Sequence, residues 1–430
     1  MTFLSPEQRE LGRRTFLKAL AGTPALALLG AAAGAKTPLS GGPVRIGIVG
    51  VGSQGRALLN HLDPAFADLR AVCDINPAQL ARTDEALLKQ QRPRARHYVE
   101  WRDMLANDAI EAVVIALPLW LHADVTEACL DAGKHVLCEK MMAWDVAGCR
   151  RMIAAARRSG RVLEIGYQRR YNPIYRAAYE GIVRPELLGE VYHARMVWHR
   201  NGNWRRNGEP PSPAYDPSGW GYPTFEHLLN WRLYWRYSQG LFAELGSHQV
   251  NVANWVFGSA PEAVIASGGV HRFRDGREVY DHIYATFEYP GGRTATYSSV
   301  ESNAFENRYE IFFGTKGTLL IQNENDALLF EEGSGGRATG VQVTPRDAGA
   351  AAEASETRPD VSSAAGAGTA VGSQSTERPS AIRIEISQFS SAVRTGSPLA
   401  CGPEAALDSA RACISANESI AKRTRVLLTG

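Results

Sequence analysis

The chain has 430 residues, more than one ordinary domain, and its 44% hydrophobic and 21% charged residues are usual for a water-soluble globular protein. The formal charge of +2 resides in residues 1–35, where Arg9, Arg13, Arg14 and Lys18 outnumber Glu7 and Glu10; the remainder balances, which argues against nucleic acid or an anionic membrane as partner. None of the six cysteines (Cys73, Cys129, Cys138, Cys149, Cys401 and Cys413) forms a C-x-x-C pair, so neither a metal finger nor a redox motif is expected.

At the N-terminus, Arg13-Arg14-Thr15-Phe16-Leu17-Lys18 precedes an alanine-rich apolar run over 19–35 that closes on the small-x-small Ala33-Gly34-Ala35. That is the pattern of a twin-arginine signal. The run is too short and too weakly hydrophobic for a membrane span. Residues 1–35 are therefore expected to be a signal peptide handed to the twin-arginine translocase, 36–43 a linker, and the protein an exported, periplasmic one.

From 44 to 165, apolar strands (45–49, 69–73, 112–116, 135–138 and 161–166) alternate with helical patterns (55–61, 124–132 and 145–158). This alternation predicts a parallel sheet covered on both faces, the doubly wound Rossmann arrangement. Its first strand runs into Gly50-Val51-Gly52-Ser53-Gln54-Gly55. Gly50 suits a tight turn, Gly52 the close approach of a diphosphate, and Gly55 the packing of a helix on the strand. The helix N-terminus then offers free N–H groups to the phosphates. Asp74 closes the second strand about 20 residues on, where a carboxylate binds ribose hydroxyls and repels a 2′-phosphate. The expected cofactor is NAD, with NADP as the alternative.

Beyond 166 the pattern changes. Strands at 191–199, 263–270, 281–289, 294–302, 309–314 and 318–322 follow one another, with Pro290-Gly291-Gly292 as a hairpin turn. A helix spans 242–257, a closing helix 403–422, and a last short strand 426–428. Residues 333–378 hold almost no large apolar side chains and read as a disordered insertion. The fold class is α/β, a Rossmann domain (44–165) followed by an α+β domain (166–430) with a large, mostly antiparallel open sheet.

Within 242–257, Glu244 and His248 stand four apart on one face, and Asn251 and Trp255 extend it. On periodicity alone that stripe is read as a solvent face, with a pocket lining as the alternative. Asn230-Trp231-Arg232-Leu233-Tyr234-Trp235-Arg236-Tyr237 is dense in aromatics and arginines, a composition suited to a sugar subsite and equally to a subunit interface. His199 and Trp204, in the polar 199–215 loop, are lesser candidates.

With these blocks in order, the sequence resembles the Gfo/Idh/MocA oxidoreductases. Ala116-Leu117-Pro118-Leu119-Trp120-Leu121-His122 is similar to the family segment that follows the strand ending near the nicotinamide. Gly133-Lys134-His135-Val136-Leu137-Cys138-Glu139-Lys140 is similar to its Glu-Lys-Pro block, with Met141 in the proline's place. Gly166-Tyr167-Gln168-Arg169-Arg170-Tyr171-Asn172-Pro173 is similar to the opening of its second domain. Leu241-Phe242-Ala243-Glu244-Leu245-Gly246-Ser247-His248 is similar to its Asp-x-x-x-His helix, with glutamate for aspartate. The resemblance implies that Leu117, Pro118, Trp120, His122, Glu139, Lys140 and Gln168 join the glycine loop around the dinucleotide. It implies that Arg170 and Tyr171, with Asn230, Trp231 and Arg232, meet a carbohydrate. It makes His248 the acid/base, Lys140 its partner, and Glu244 the residue that orients the imidazole or contacts substrate. It also implies a homo-oligomer joined through the open sheet.

Oxidising a sugar alcohol requires a base within reach of the hydroxyl proton and a cation for the developing alkoxide, roles that suit histidine and lysine. No His-Glu-x-x-His is present, so a metal role is not expected. Export adds a constraint, since no NAD pool exists outside the cytoplasm. The cofactor is expected to stay bound and be recycled in place. Either a second carbonyl is reduced, or a transient keto sugar permits glycoside cleavage, elimination or epimerisation before the hydride returns. For that second route, Tyr222-Pro223-Thr224-Phe225 carries phenylalanine where NAD-dependent glycosidases of the family carry histidine. A catalytically silent sugar-binding member is the remaining alternative.

Overall fold

The computed structural model describes residues 4–30, 39–332 and 380–428. The expected insertion at 333–378 and the small-residue site Ala33-Gly34-Ala35 lie outside the described residues.

Two helices come first, α1 (Pro6–Leu20) and α2 (Pro24–Gly30). The first sheet and its helices follow as β1 (Val44–Val49), α3 (Ser53–Asn60), β2 (Ala67–Cys73), α4 (Pro77–Lys89), β3 (Arg96–Tyr98), α5 (Trp101–Leu105), β4 (Ala112–Ile115), α6 (His122–Asp131), β5 (His135–Glu139), α7 (Val146–Ser159) and β6 (Leu163–Gly166). All neighbouring strands are parallel, in the order β3-β2-β1-β4-β5-β6. The strand order reverses beside β1, and in such sheets ligands bind at the carboxyl ends next to that crevice.

The chain then runs through α8 (Pro173–Ala178), β7 (Val191–His199), α9 (Phe225–Leu229), α10 (Ser247–Phe257), β8 (Ala263–Gly269), β9 (His282–Tyr289), β10 (Arg293–Val300), β11 (Arg308–Gly314), β12 (Gly317–Gln322) and β13 (Asp326–Glu331). It ends with α11 (Ala381–Thr395), α12 (Pro403–Lys422) and β14 (Val426–Leu427). Eight strands form the second sheet, in the order β13-β12-β11-β7-β10-β9-β8-β14. Only β7 and β10 pair in parallel, so the sheet is mostly antiparallel as expected. Gly291 and Gly292 both take φ 75° in the β9–β10 turn, which explains the glycine pair. Burial alternates along β9 and β10, the mark of a sheet with one covered face. α10 and α12 pack together on that covered side. The other side is open and leaves Ile265 and Tyr284 half exposed.

Three features depart from the sequence reading. α11 was not foreseen, and it returns to the first sheet, where Ile386 and Phe389 join the core around Val44, Ile46 and Val114. β13 was also missed. The helix expected over 242–257 opens as a π-turn over Phe242–Gly246 before α10 begins. Among the described residues, no helix is long and apolar enough to cross a membrane.

Candidate active site

The glycine loop behaves as its spacing implies. Gly50 takes φ 86°, and a Cβ there would lie 2.5 Å from the Ala116 carbonyl oxygen. A Cβ on Gly55 would lie 1.9 Å from the Gly50 oxygen, so these two glycines are fixed by backbone packing. Gly52 differs, since a Cβ there would meet nothing within 4 Å. This open space sits at the N-cap of α3, which has no side-chain cap, so its first N–H groups are free to meet an anion. The cradle therefore fits a diphosphate. Asp74 braces it: one carboxylate oxygen accepts from Val51 N (3.0 Å) and the other from Asn76 N (2.8 Å). Burial pushes the Asp74 carboxyl up to about 6, against those two N–H bonds and the nearby Arg56.

Asp74, Gly50, Gly52, Ser53, Gln54, Leu117, Pro118 and Trp120 line one cleft of about 510 Å³. Val51 is buried beneath it. His122 is a correction to the expected cofactor set. Its ring is buried, with Nε2 on the Leu117 carbonyl and Nδ1 on the Met141 carbonyl, both 2.9 Å, so it ties two cleft-edge segments together instead of facing a ligand. Gln168, in the turn Gln168–Arg170, does not line that cleft either. Glu139 is buried, accepting from Gln54 Nε2 (2.7 Å) and Lys140 N (3.1 Å). Burial raises its carboxyl and the adjacent Lys140 opposes the rise.

Lys140 stands at the end of β5, and its Nζ donates to the Glu244 main-chain carbonyl (2.9 Å). The Lys140–Met141 peptide is cis, and Met141 is buried. Glu244 corrects a second expectation. Its carboxylate accepts from Arg232 Nε (2.8 Å) and makes no bond to the His248 ring. The carboxylate is drawn instead to Arg232, twelve residues back along the chain. Burial would raise the Glu244 carboxyl, but Arg232 and Lys140 outweigh it and hold it low, so it is charged.

His248 is buried between Tyr167 (edge-on, ring centroids 6.0 Å apart) and Trp198 (6.1 Å). Its Nδ1 is buried with no partner. Burial first, then the charges of Lys140, Arg169 and Arg308, drive its pKa well below the ordinary imidazole value. The ring is neutral at pH 7 and able to accept a proton.

Several expected substrate residues serve the scaffold instead. Arg170 is buried, donating to Asn251 Oδ1 (2.7 Å) and the Asn251 carbonyl (3.2 Å) while lying over Trp255. Asn251 and Trp255 therefore form no pocket stripe, and residues 247–254 of α10 are buried throughout. Tyr171 is buried, its hydroxyl accepting from Ala400 N (3.2 Å). Asn230 is buried too, and brackets Arg206 by accepting from its N–H (2.7 Å) and donating to its carbonyl (3.0 Å). Trp231 and Arg232 do line the cleft. His199 bonds Ser298 Oγ (2.9 Å) and lines a cavity on the open sheet face, and Trp204 lies under Arg200.

The sequence reading missed Arg206 and Tyr215. Arg206 lines the cleft with Tyr222 and Phe225. Tyr215 Oη donates to the Ile75 carbonyl (3.2 Å), and Trp120 Nε1 donates to Tyr222 Oη (3.0 Å). Gly221, at φ 85°, leaves room for the Trp120 ring, which a Cβ would approach to 2.9 Å. This loop thus straps the second domain across the nucleotide cleft. It carries no periodic pattern, and the Gly221 turn was the one signal available.

A Rossmann sheet with a diphosphate cradle, joined to an open-sheet domain that places a histidine and a glutamate beside a lysine, defines a dinucleotide-dependent protein with a built second site. The chain belongs to the Gfo/Idh/MocA family. Residues 44–167 match its oxidoreductase domain, described as an NAD-binding Rossmann fold, and 178–320 match the family's C-terminal domain. A similar curated protein is inositol 2-dehydrogenase of Salmonella typhimurium, 36% identical over 192 residues, 44% of this chain and 55% of that protein. The match thus spans about half of that relative. A glycosyl hydrolase family 109 protein of Shewanella baltica is 29% identical over 180 residues, 38% of this chain and 39% of that protein. Among solved structures, the aldose–aldose oxidoreductase of Caulobacter crescentus superposes with a TM-score of 0.64 at 23% identity, covering 90% of this chain and 99% of that one.

Proposed function

We propose that the protein is an NAD-dependent oxidoreductase acting on a CH–OH group of a sugar or polyol, with a cofactor that stays in its cleft and is recycled there. The observation that carries this reading is the buried His248, its Nδ1 without a partner, near Lys140 at the carboxyl edge of the Rossmann sheet. When bound, the nicotinamide supplies the hydride acceptor. The glycine loop and Asp74 would hold the dinucleotide. The neutral imidazole takes the hydroxyl proton, and the Lys140 ammonium stabilises the alkoxide as charge builds. Arg232 fixes Glu244, whose main-chain carbonyl positions the lysine.

Retention of the cofactor is supported by the strap, in which Tyr215 to Ile75 and Trp120 to Tyr222 tie the second domain to the edge of the nucleotide cleft. It also suits an exported enzyme, a location that the twin-arginine pattern favours. The half-exposed Ile265 and Tyr284 on the open sheet suit a homo-oligomeric contact.

The test is to denature purified protein, identify the released nucleotide by mass spectrometry, and screen native protein against sugars and polyols at the NADH absorbance band. Stoichiometric nucleotide reduced by a carbohydrate is expected. Protein that is empty and cannot be refilled with either nicotinamide coenzyme would remove the proposal. Turnover of a glycoside without net NADH would select the redox-neutral route, which Phe225 in the cleft disfavours.

A further inference from the structure

Residues 4–30 have the composition of a disposable leader, yet they are built into the fold. α1 starts with a complete capping box: Ser5 Oγ accepts from Gln8 N (3.2 Å), Gln8 Oε1 accepts from Ser5 N (2.7 Å), and Pro6 opens the helix. α1 lies along β13, and α2 lies against α8. Phe16 and Leu20 are 2% and 0% exposed and join the main core.

Two glycines make this contact possible, one on each side of it. Gly12, on α1, lies where a Cβ would come within 2.7 Å of the Phe330 ring and 3.0 Å of Leu328 Cβ, both on β13. Gly181, in the π-turn Tyr179–Val183 after α8, lies where a Cβ would come within 2.2 Å of Leu20 Cδ2 and 2.9 Å of Ala25 Cβ. Neither glycine has a positive φ, so backbone conformation does not call for glycine at either place. Room for the opposing chain does. Gly181 belongs to the second domain, where a leader destined for removal would need no receiving site.

The twin-arginine pair is split by this docking. Arg13 donates to Asp326 on β13 through Nε (3.3 Å) and Nη2 (3.1 Å), and Gln322 Nε2 holds the same carboxylate (3.0 Å). Arg13 remains 49% exposed and also reaches Glu10 (3.7 Å), whereas Arg14 is 70% exposed and, among the described residues, pairs with Glu10 alone.

We propose that residues 4–30 are an intramolecular ligand of the groove between β13 and the 173–183 segment, and that docking ties the half-exposed Arg13 to Asp326, so that a receptor needing both arginines free reads the motif only when the arm is released. The Arg13 half rests on the export reading; the docking half does not. A receptor that needs both arginines binds only the undocked fraction, so its apparent affinity falls by that fraction. By linkage, receptor binding in turn favours release.

Docking is read by hydrogen exchange on the full chain. Amides of residues 12–25 are expected to be protected, and Gly181→Ala is expected to cut that protection about tenfold or more. Alanine is the better helix former by roughly 1 kcal/mol, so a loss cannot come from helix propensity. Adding Leu20→Ala, which removes the clashing Cδ2, should restore part of the protection. Gly12→Leu gives the same readout from the arm side while leaving the groove's own sequence intact. Exchange of wild-type residues 12–25 at free-peptide rates, or unchanged protection in both glycine variants, overturns the docking. The Asp326 tie on Arg13 is read in cells with Asp326→Asn, a change outside the signal itself. The exported fraction should rise by about twofold or more. Unchanged export in that variant overturns the tie as a restraint on the signal, and no export of any variant overturns the export reading while the exchange result still decides docking.

Discussion

The two walls of the cleft are specified in different ways. The Rossmann wall is contiguous in sequence: Gly50, Gly52, Gly55 and Asp74 act through backbone geometry that each residue imposes locally. The opposite wall draws Arg206, Tyr222, Trp231 and Arg232 from separate turns, and Arg232 leads from it to Glu244; the roles of Glu244 and His248 are set by partners brought in from elsewhere in the chain. A role fixed by a residue's own backbone can be read before folding is known. A role fixed by a partner cannot.

Within the first wall, glycines of one motif should fail differently. Gly55→Ala forces a Cβ into the Gly50 carbonyl, and backbone cannot yield as a flexible side chain does. A loss on the order of 3 kcal/mol or more and failure to bind nucleotide are expected, read by thermal unfolding and nucleotide titration. Gly52→Ala meets no atom, so it should fold normally and lose only nucleotide affinity. Equal stability losses in the two variants would erase the distinction between packing glycine and ligand glycine.

Across the cleft, His248→Ala should lower kcat by about 10²–10⁴-fold while nucleotide stays bound. The pH dependence follows from the direction of its pKa. Because burial and three cationic neighbours depress it, the imidazole remains a base as pH falls through the ordinary histidine range. The acid limb of kcat/KM should therefore lie below about 6.5. A limb at or above that value would mean that a different group, or a solvated histidine, is the base.

What the sequence made legible follows the same division. The strand–helix alternation of 44–165 and the alternating strands beyond 190 carry periodicity, so both sheets were foreseen, as was the closing helix. β13 escaped because Asp326-Ala327-Leu328-Leu329-Phe330-Glu331 lacks clean alternation. α11 escaped because it follows a long polar segment and its target, the first sheet, lies far back in the chain. Lys140 and His248 were put forward through family resemblance, not spacing. Spacing gave no hint of Arg232, the partner that takes the Glu244 carboxylate from outside the helix. Arg170 and Tyr171 were carried over as substrate residues by the resemblance of the 166–173 block, and nothing in the sequence showed that Asn251 and Trp255 would take up the Arg170 guanidinium.

A smaller effect tests the Arg232–Glu244 pair. Arg232→Leu leaves Glu244 buried beside Lys140 with one cation instead of two. Removing one partner of a buried pair exposes the desolvation cost of the other. The Glu244 carboxyl should rise, and a pH-dependent loss of activity should enter near neutrality, with kcat/KM down about tenfold to a hundredfold. Arg232→Lys should restore part of it. A pH-independent loss would assign Arg232 to substrate contact alone.

The smallest expected effect lies behind the Rossmann wall, and it concerns stability without chemistry. Glu164 on β6 is fully buried with the Tyr171 hydroxyl as its neighbour and, among the described residues, no cation beside it, and Glu385 on α11 is buried close by. Burial pushes Glu164 up to about 8, and burial together with the charges of Glu164 and Glu139 raises Glu385. The folded protein therefore keeps protons that the unfolded chain releases near its ordinary carboxyl pKa of about 4.5. Stability from this pair is fully present at acid pH and is lost as pH climbs from there toward 8. Glu385→Gln keeps the shape, removes one titrating group and lowers the pKa of the other. It should raise Tm by a few degrees, roughly 2–4 °C per kcal/mol, at pH 8 and change it little at pH 5. A rise that is the same at both pH values would show that packing, not charge, separates the two chains, and that α11 meets the first sheet as a purely apolar cover.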